Sequence, residues 1–209
     1  MKIILFLLTM AIAGTAIAKR PNILFILVDD LGWADLACYG SPSHDTPNLD
    51  KFARQGMQFH RAHVNVAICY PSRTVIGTGL YSHNSGGLGF MPTRPEIPNV
   101  IDIMKEASYL TGVLGKQEHS TPKLSTTWDY AFDRNDLGDG RSPKLYKQRA
   151  LTFFEKCKKE KKNFYFMVNS HDPHRPFCYP NKLRKGAEMP SKIYHADDVT
   201  VPGFLPDLP

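Results

Sequence analysis

The sequence predicts an α/β fold with a largely parallel central sheet, and two observations predict it. Three short, continuous apolar runs, at residues 22–28, 109–114 and 164–168, read as strands, and the segments between them carry apolar residues at helical spacing. Each run also stops abruptly at polar residues: Asp29-Asp30, Gly115-Lys116, and a stretch leading to His171. Strands that alternate with helices argue a sheet of parallel neighbours. A chain of 209 residues suffices for one domain with a real core, and two full domains would be a stretch.

Taken in order, the chain opens with Met-Lys, an apolar stretch from Ile3 through Ile12, and small residues closing on Ala16-Ile17-Ala18. This reads as a secretory signal peptide over residues 1–18. The stretch falls short of the roughly 20 strongly apolar residues that a membrane span needs. The expectation is an exported chain, secreted or periplasmic, with no stable membrane anchor after cleavage.

Residues 22–28 form the first strand, continuous enough in apolar character to be buried on both faces. Thr46-Pro47 then opens a helix with Leu49, Phe52 and Ala53 on one stripe, closing near Gly56. Another helix begins beside Cys69, with Pro71 in its first turn and Gly77 and Gly79 at its far end. From Pro98, the residues Val100, Ile101, Ile103 and Met104 predict a helix ending near Ser108, ahead of the second strand. A helix over about 143–160 precedes the third strand, and the strand is expected to stop before His171. Residues between Gly115 and Pro143, and those after Pro173, read as excursions over the sheet edge. The last nine residues contain no closing element, so the chain reads as cut short at its C-terminus.

The net charge of +6 is modest and no basic stripe with interleaved aromatics stands out, which argues against nucleic acid as a partner. The run Lys158-Lys159-Glu160-Lys161-Lys162 suits a solvated helix end. Four cysteines, at 38, 69, 157 and 178, are too few and scattered for a disulfide scaffold. Cys157 falls in step with Tyr146, Ala150 and Phe153, which places it in a core. His60 and His63 have no third ligand nearby to complete a zinc site.

The polar residues after the strands converge. Asp29-Asp30 follows the first, Lys116 and His119 the second, and His171-Asp172-Pro173-His174 the third. Ligands of open α/β sheets bind beyond the carboxyl ends of the strands, and the positive end of the Cys69 helix would point there too. An active site for an anion is the expectation. Two adjacent carboxylates want a hard cation, Ca²⁺ or Mg²⁺, unless they form an exposed turn that caps a helix. Cys69 itself admits three readings: a buried structural residue, a thiolate nucleophile, or a residue altered before it acts. A thiolate is a poor ligand for a hard cation. The tyrosine-phosphatase arrangement also fails, since Arg73 stands four positions on and Val75 occupies the sixth.

The run Cys69-Tyr70-Pro71-Ser72-Arg73, followed after four residues by Thr78-Gly79, resembles the sulfatase signature C-x-P-S-R-x-x-x-x-T-G, whose cysteine is oxidised to formylglycine (3-oxoalanine). The resemblance extends from about Pro21 to the end of the chain and takes in Asp29-Asp30, Leu31-Gly32, residues 46–50, Thr111-Gly112, Gly115-Lys116 and residues 171–174. Residues 115–119 and 171–177 look closest to the heparan N-sulfatase (sulfamidase) branch and its bacterial relatives.

That resemblance implies an alkaline-phosphatase-like α/β/α sandwich, of which residues 19–209 would be the N-terminal part. It implies Ca²⁺, or less readily Mg²⁺, held by Asp29, Asp30 and the oxidised residue at Cys69. Arg73 and His119 would lie beside formylglycine, and Lys116 and His171 on the sulfate or leaving group, with His171 a candidate general acid. His174 and Arg175 would reach the rest of an anionic sugar. Hydrated formylglycine offers two hydroxyls, one to attack sulfur and one to expel sulfate, a second step that serine could not perform. The partners implied are a sulfated glycan or other sulfated small molecule, and a formylglycine-generating enzyme for maturation.

Two departures stand out. His119 follows Lys116 by three positions where many sulfatases show Lys-x-His, and the family's later Ser-Asp-Asn-Gly stretch, with its further metal ligands and a lysine, is not among these residues. A phosphoric or phosphonic monoester hydrolase of the same superfamily, and a non-catalytic fragment that binds sulfated glycans, are the competing expectations.

Overall fold

The structure is a computed structural model that describes residues 20–177, 179, 182–201 and 203–206. The expected signal peptide and Cys178 lie outside the described residues. Four strands, β1 (Ile23–Asp29), β2 (Leu110–Leu114), β3 (Tyr130–Phe132) and β4 (Phe164–Pro173), pair in the order β1-β4-β2-β3, every pairing parallel. The helices are α1 (Pro47–Arg54), α2 (Cys69–Thr78), the single turn α3 (Ser82–Ser85), α4 (Val100–Glu106) and α5 (Pro143–Glu160).

Register gives the sheet two faces with separate cores. Leu110 and Leu114 of β2 join Phe166 of β4 under Phe153 and Cys157 of α5. On the opposite face, Val113, Tyr165 and Met167 pack with Ile101 of α4 and with Tyr109. Alternation along adjacent parallel strands sends successive side chains to opposite layers, which makes the unit an α/β/α sandwich. Gly112 is fixed by this packing: a Cβ there would stand 2.8 Å from the Phe166 ring and 2.9 Å from Phe153. Cys157 is buried as its helical phase requires, and burial pushes its thiol pKa up to about 11.

Local chemistry sets the helix ends. Asn99 accepts from the backbone amides of Ile101 and Asp102 at the start of α4, and Ser142 accepts from Leu145 ahead of Pro143. Gly79, at φ +68°, ends α2 in the left-handed region that glycine enters without strain.

Three expectations require correction. β1 is not buried on both faces: Leu24 and Ile26 are 50% and 55% exposed. α5 lies over β2 and its neighbours, leaving edge strand β1 unroofed on that side, while Ile23 and Phe25 pack against the α4-side core. β4 does not stop before His171 but runs to Pro173, because a register shift between Val28 and Asp29 lets β1 pair further along it. The segment 115–143 is no simple excursion, since it contains β3 and a 3₁₀ turn at Arg134–Leu137. The apolar stripe of α1 is also less covered than its spacing suggests, with Leu49 41% and Phe52 73% exposed. Among the described residues no helix is long and apolar enough to cross a membrane.

Candidate active site

The carboxyl ends of β1, β2 and β4 meet the start of α2. Asp29, 4% exposed, closes β1. Lys116 Nζ comes from beyond β2 to 2.5 Å from Asp29 Oδ2, and the Arg73 guanidinium of α2 stands 3.3 Å from Oδ1. Burial pushes the Asp29 pKa up, but Lys116 and then Arg73 outweigh it and hold the carboxyl below its ordinary value. Burial works the other way on Arg73, lowering its pKa, and Asp29 opposes that shift. Two buried cations on one buried anion leave a local surplus of positive charge.

Cys69 is the first residue of α2, half-buried, in a cavity of about 250 Å³ that Asp29, Asp30, Ser72 and Arg73 also line. The residue before it, Ile68, gives the helix no side-chain cap, so the positive end of the helix dipole lies beside the cavity without a capping side chain. Asp30 adopts φ 60° and is 54% exposed at its side chain. His174 Nε2 lies 3.7 Å from Asp30 Oδ2 and 3.9 Å from Asp29 Oδ2, facing both carboxylates.

Two neutral imidazoles border this centre. His171 is 7% exposed and its Nδ1 has no hydrogen-bond partner. Burial, then Lys116, Arg134 and Arg141, push its pKa down to about 4. His119, between the rings of Tyr70 (centroids 5.5 Å apart) and Phe90 (5.7 Å), likewise has an orphaned Nδ1 and a pKa lowered by burial, Lys116 and Arg73. A neutral, buried ring nitrogen without a partner is a waiting acceptor or donor.

The structure thus gathers Asp29, Asp30, Cys69, Arg73, Lys116 and His174, with His119 and His171 inside the same field. Arg175 is not brought in: it is exposed and forms no ion pair among the described residues.

Sequence reasoning missed Asn169. It is fully buried, its Oδ1 accepts from Arg73 Nη1 at 2.5 Å, and its Nδ2 donates to the carbonyls of Gly115 (2.7 Å) and Leu114 (3.2 Å). One amide therefore ties the guanidinium to the turn that carries Lys116. The signal was an amide directly after an apolar strand, in phase with the inward Tyr165 and Met167. Arg141 was missed too. Its side chain is 2% exposed, and it binds Asp172 Oδ1 at 2.7 Å and the carbonyls of His174 and Pro176 at 2.8 and 3.1 Å, pinning the segment that carries His174. Gly140 lies against the His171 ring, where a Cβ would collide.

The donor set fits a hard divalent cation in part. Asp29 Oδ2 makes no well-directed hydrogen bond despite the nearby ammonium, and Asp30 offers a second carboxylate beside it. These oxygens suit Ca²⁺ or Mg²⁺. They make only part of a shell, for no group of three or more His, Cys, Asp or Glu is placed to hold a metal among the described residues.

The profile of the sulfatase family matches residues 21–192. The chain belongs to the sulfatase family. Human arylsulfatase A is 41% identical over 111 residues, covering 50% of this sulfatase chain and 22% of the relative. Human N-sulphoglucosamine sulphohydrolase is 28% identical over 223 residues, covering 95% of this chain and 43% of the relative. A solved structure described as in complex with its substrate D-glucosamine-2-N,6-O-disulfate superposes with a TM-score of 0.63 at 26% identity, over 75% of this chain and 35% of that one. The sulfatase chain spans less than half the length of each of these. The fold expected from the resemblance, an alkaline-phosphatase-like α/β/α arrangement on a parallel sheet, is the one observed.

Proposed function

We propose that these residues form the nucleophile-bearing part of a sulfuric ester hydrolase that acts on sulfate esters or N-sulfate groups of sulfated glycans. The observation that carries this reading is the placement of Cys69, within its signature, at the uncapped start of α2 in a cavity shared with Asp29, Asp30 and Arg73. The alignment with N-sulphoglucosamine sulphohydrolase along almost the whole chain supports an amino-sugar sulfate as the substrate class.

Formylglycine at position 69, made by a formylglycine-generating enzyme, supplies two geminal hydroxyls, one to accept the sulfuryl group and one whose deprotonation releases sulfate. Ca²⁺ would be held by Asp29, Asp30 and the oxygen of residue 69, and it would offset charge on the sulfuryl oxygens. The chain's own residues do the rest. Arg73 and Lys116, fixed by Asp29 and Asn169, present positive charge to the anion without reorganising. His171 is neutral at pH 7 in the free protein, so it accepts a hydrogen bond first. A bound sulfate beside it favours the imidazolium and hence proton delivery to the departing oxygen or nitrogen. His119, whose ring packs against those of Tyr70 and Phe90, is the candidate to take a proton from residue 69.

The test is turnover of an aryl sulfate, N-sulfoglucosamine and an aryl phosphate by protein matured with a formylglycine-generating enzyme. The reading expects one of the sulfated substrates to be preferred and Cys69→Ser to lose at least about a thousandfold in rate. A dominant phosphatase rate, or a Cys69→Ser variant as active as the parent, contradicts it.

A further inference from the structure

Arg141 stands two residues ahead of α5, and its side chain is 2% exposed. Among the described residues, every hydrogen bond of its guanidinium goes to Asp139, on the same loop, or to the end of β4 and the segment beyond it. Nε donates to Asp172 Oδ1 at 2.7 Å, and Nη2 donates to the carbonyls of His174 at 2.8 Å and Pro176 at 3.1 Å. None of these partners belongs to the two cores that flank the sheet. The neighbouring Gly140, at φ +74°, lies directly against the other histidine of that segment, where a Cβ would stand 2.6 Å from His171 Cγ.

Taking a guanidinium out of water is costly, and this one commits its donors to a single stretch of chain. What that stretch carries is His174. The His174 amide donates to the His171 carbonyl at 2.8 Å, and its ring Nδ1 is hydrogen-bonded to the Arg175 carbonyl, so the ring's orientation follows the backbone of residues 174–176. From there Nε2 faces Asp30 Oδ2 at 3.7 Å and Asp29 Oδ2 at 3.9 Å, the two carboxylates that line the Cys69 cavity.

We infer that Arg141 is a positioning residue: acting through His174 rather than on the substrate, it sets where that imidazole stands relative to the anion taken up beside Cys69. The planar guanidinium suits the task, because it satisfies a carboxylate and two carbonyls at fixed angles, whereas a lysine ammonium is a point charge on a flexible stem. Loosening the segment lets the imidazole drift from the carboxylate pair, and small displacements at a reacting centre cost rate steeply. The inference rests on the hydrolase reading of the site and deepens it.

Hydrogen exchange read by mass spectrometry tests the positioning without turnover, on protein that keeps its cysteine at 69. Arg141→Met should speed exchange in the peptide covering residues 171–177 by about tenfold and leave those covering β1 and α2 as in the parent. Equal exchange in 171–177, or a rise spread over the whole chain, overturns the inference. If Arg141→Met does not fold, Asp172→Ala takes its place, since it removes the acceptor of Nε at a side chain that is 51% exposed. The same peptide should then exchange faster, and no change there overturns the inference. Turnover of N-sulfoglucosamine by matured protein is the second readout. Arg141→Met should lower kcat/KM by about tenfold, and Arg141→Lys should fail to restore it. In a His174→Ala background the Arg141→Met replacement should change kcat/KM by less than about twofold. A tenfold loss that persists without the imidazole overturns the inference. If the parent hydrolyses no sulfated substrate, the hydrolase reading falls, and the exchange result alone decides whether Arg141 orders the His174 segment. If the parent is active and neither exchange nor the double-mutant comparison responds, the role of Arg141 falls and the hydrolase reading stands.

Discussion

Asp29 and Asp102 are both carboxylates held by lysine and by asparagine-anchored networks, yet they end differently. Asp102 accepts from Asn99 (2.8 Å) and Thr126 (3.1 Å) and pairs with Lys123 (3.1 Å), while Asn99 uses its other atom to cap α4. Every polar group there finds a partner, and the side chain remains 31% exposed. Around Asp29 the burial is deeper and the accounting does not close: Asp29 Oδ2, His119 Nδ1 and His171 Nδ1 are buried without hydrogen bonds, beside two desolvated cations. The difference separates a network that stabilises the fold from one that leaves capacity for a ligand, since orphaned buried atoms are expensive and persist where something else satisfies them.

Four substitutions or titrations break or sharpen this contrast. Lys116→Met leaves Asp29 buried with Arg73 alone, and removing one member of a buried ion pair typically costs about 3–5 kcal/mol. Denaturant unfolding should show that loss, and Ca²⁺ should bind the variant more tightly than the parent because the ammonium no longer competes for Oδ2; an unchanged Ca²⁺ isotherm would argue against a metal at Asp29. Asn169→Leu strips Arg73 and the Gly115 carbonyl of their partner, at about 2 kcal/mol in stability and about a hundredfold in kcat/KM through misplaced cations. Asn99→Ala removes the α4 cap and should cost about 1 kcal/mol with turnover intact, as befits the closed network; a matching loss of activity would erase the distinction.

The smallest effect is one of pH. His171 has a folded pKa of about 4 against an ordinary 6.5, so the unfolded chain binds more protons between those values. Its contribution to stability is complete above about pH 6.5 and is lost as pH falls toward 4. His119 shifts in the same direction. His171→Gln should flatten the stability profile in that window, as read by thermal melts, and a slope equal to the parent's would contradict the buried neutral ring.

Much of this was legible in the residues. The helix over 143–160 coincides with α5, and the polar residues after the strands do converge, because strand ends and helix starts are punctuated by proline, glycine and acidic residues whose backbone preferences are local. Sequence did not reveal that β1 lies at an edge with Leu24 and Ile26 open, since an apolar run looks the same beneath a helix as beside none. Nor did it reveal Tyr-Ala-Phe as β3, a strand three residues long whose place beside β2 follows Asp129 accepting hydrogen bonds from Thr111. At the site, the signature exposed Cys69 and Arg73. Asn169 and Arg141 act through contacts 96 and 31 residues away in the chain, and no spacing rule reports such distances. Arg175, expected beside His174, is left exposed next to it.

In the proposed hydrolase, residue 69 acts as a carbonyl rather than as a thiol. Intact-mass analysis of the tryptic peptide carrying residue 69, taken from active protein purified from its natural host, tests this most directly. The predicted result is a peptide lighter than the cysteine form and reactive toward an aldehyde-specific hydrazide. Full activity in protein whose peptide retains an alkylatable cysteine would contradict it.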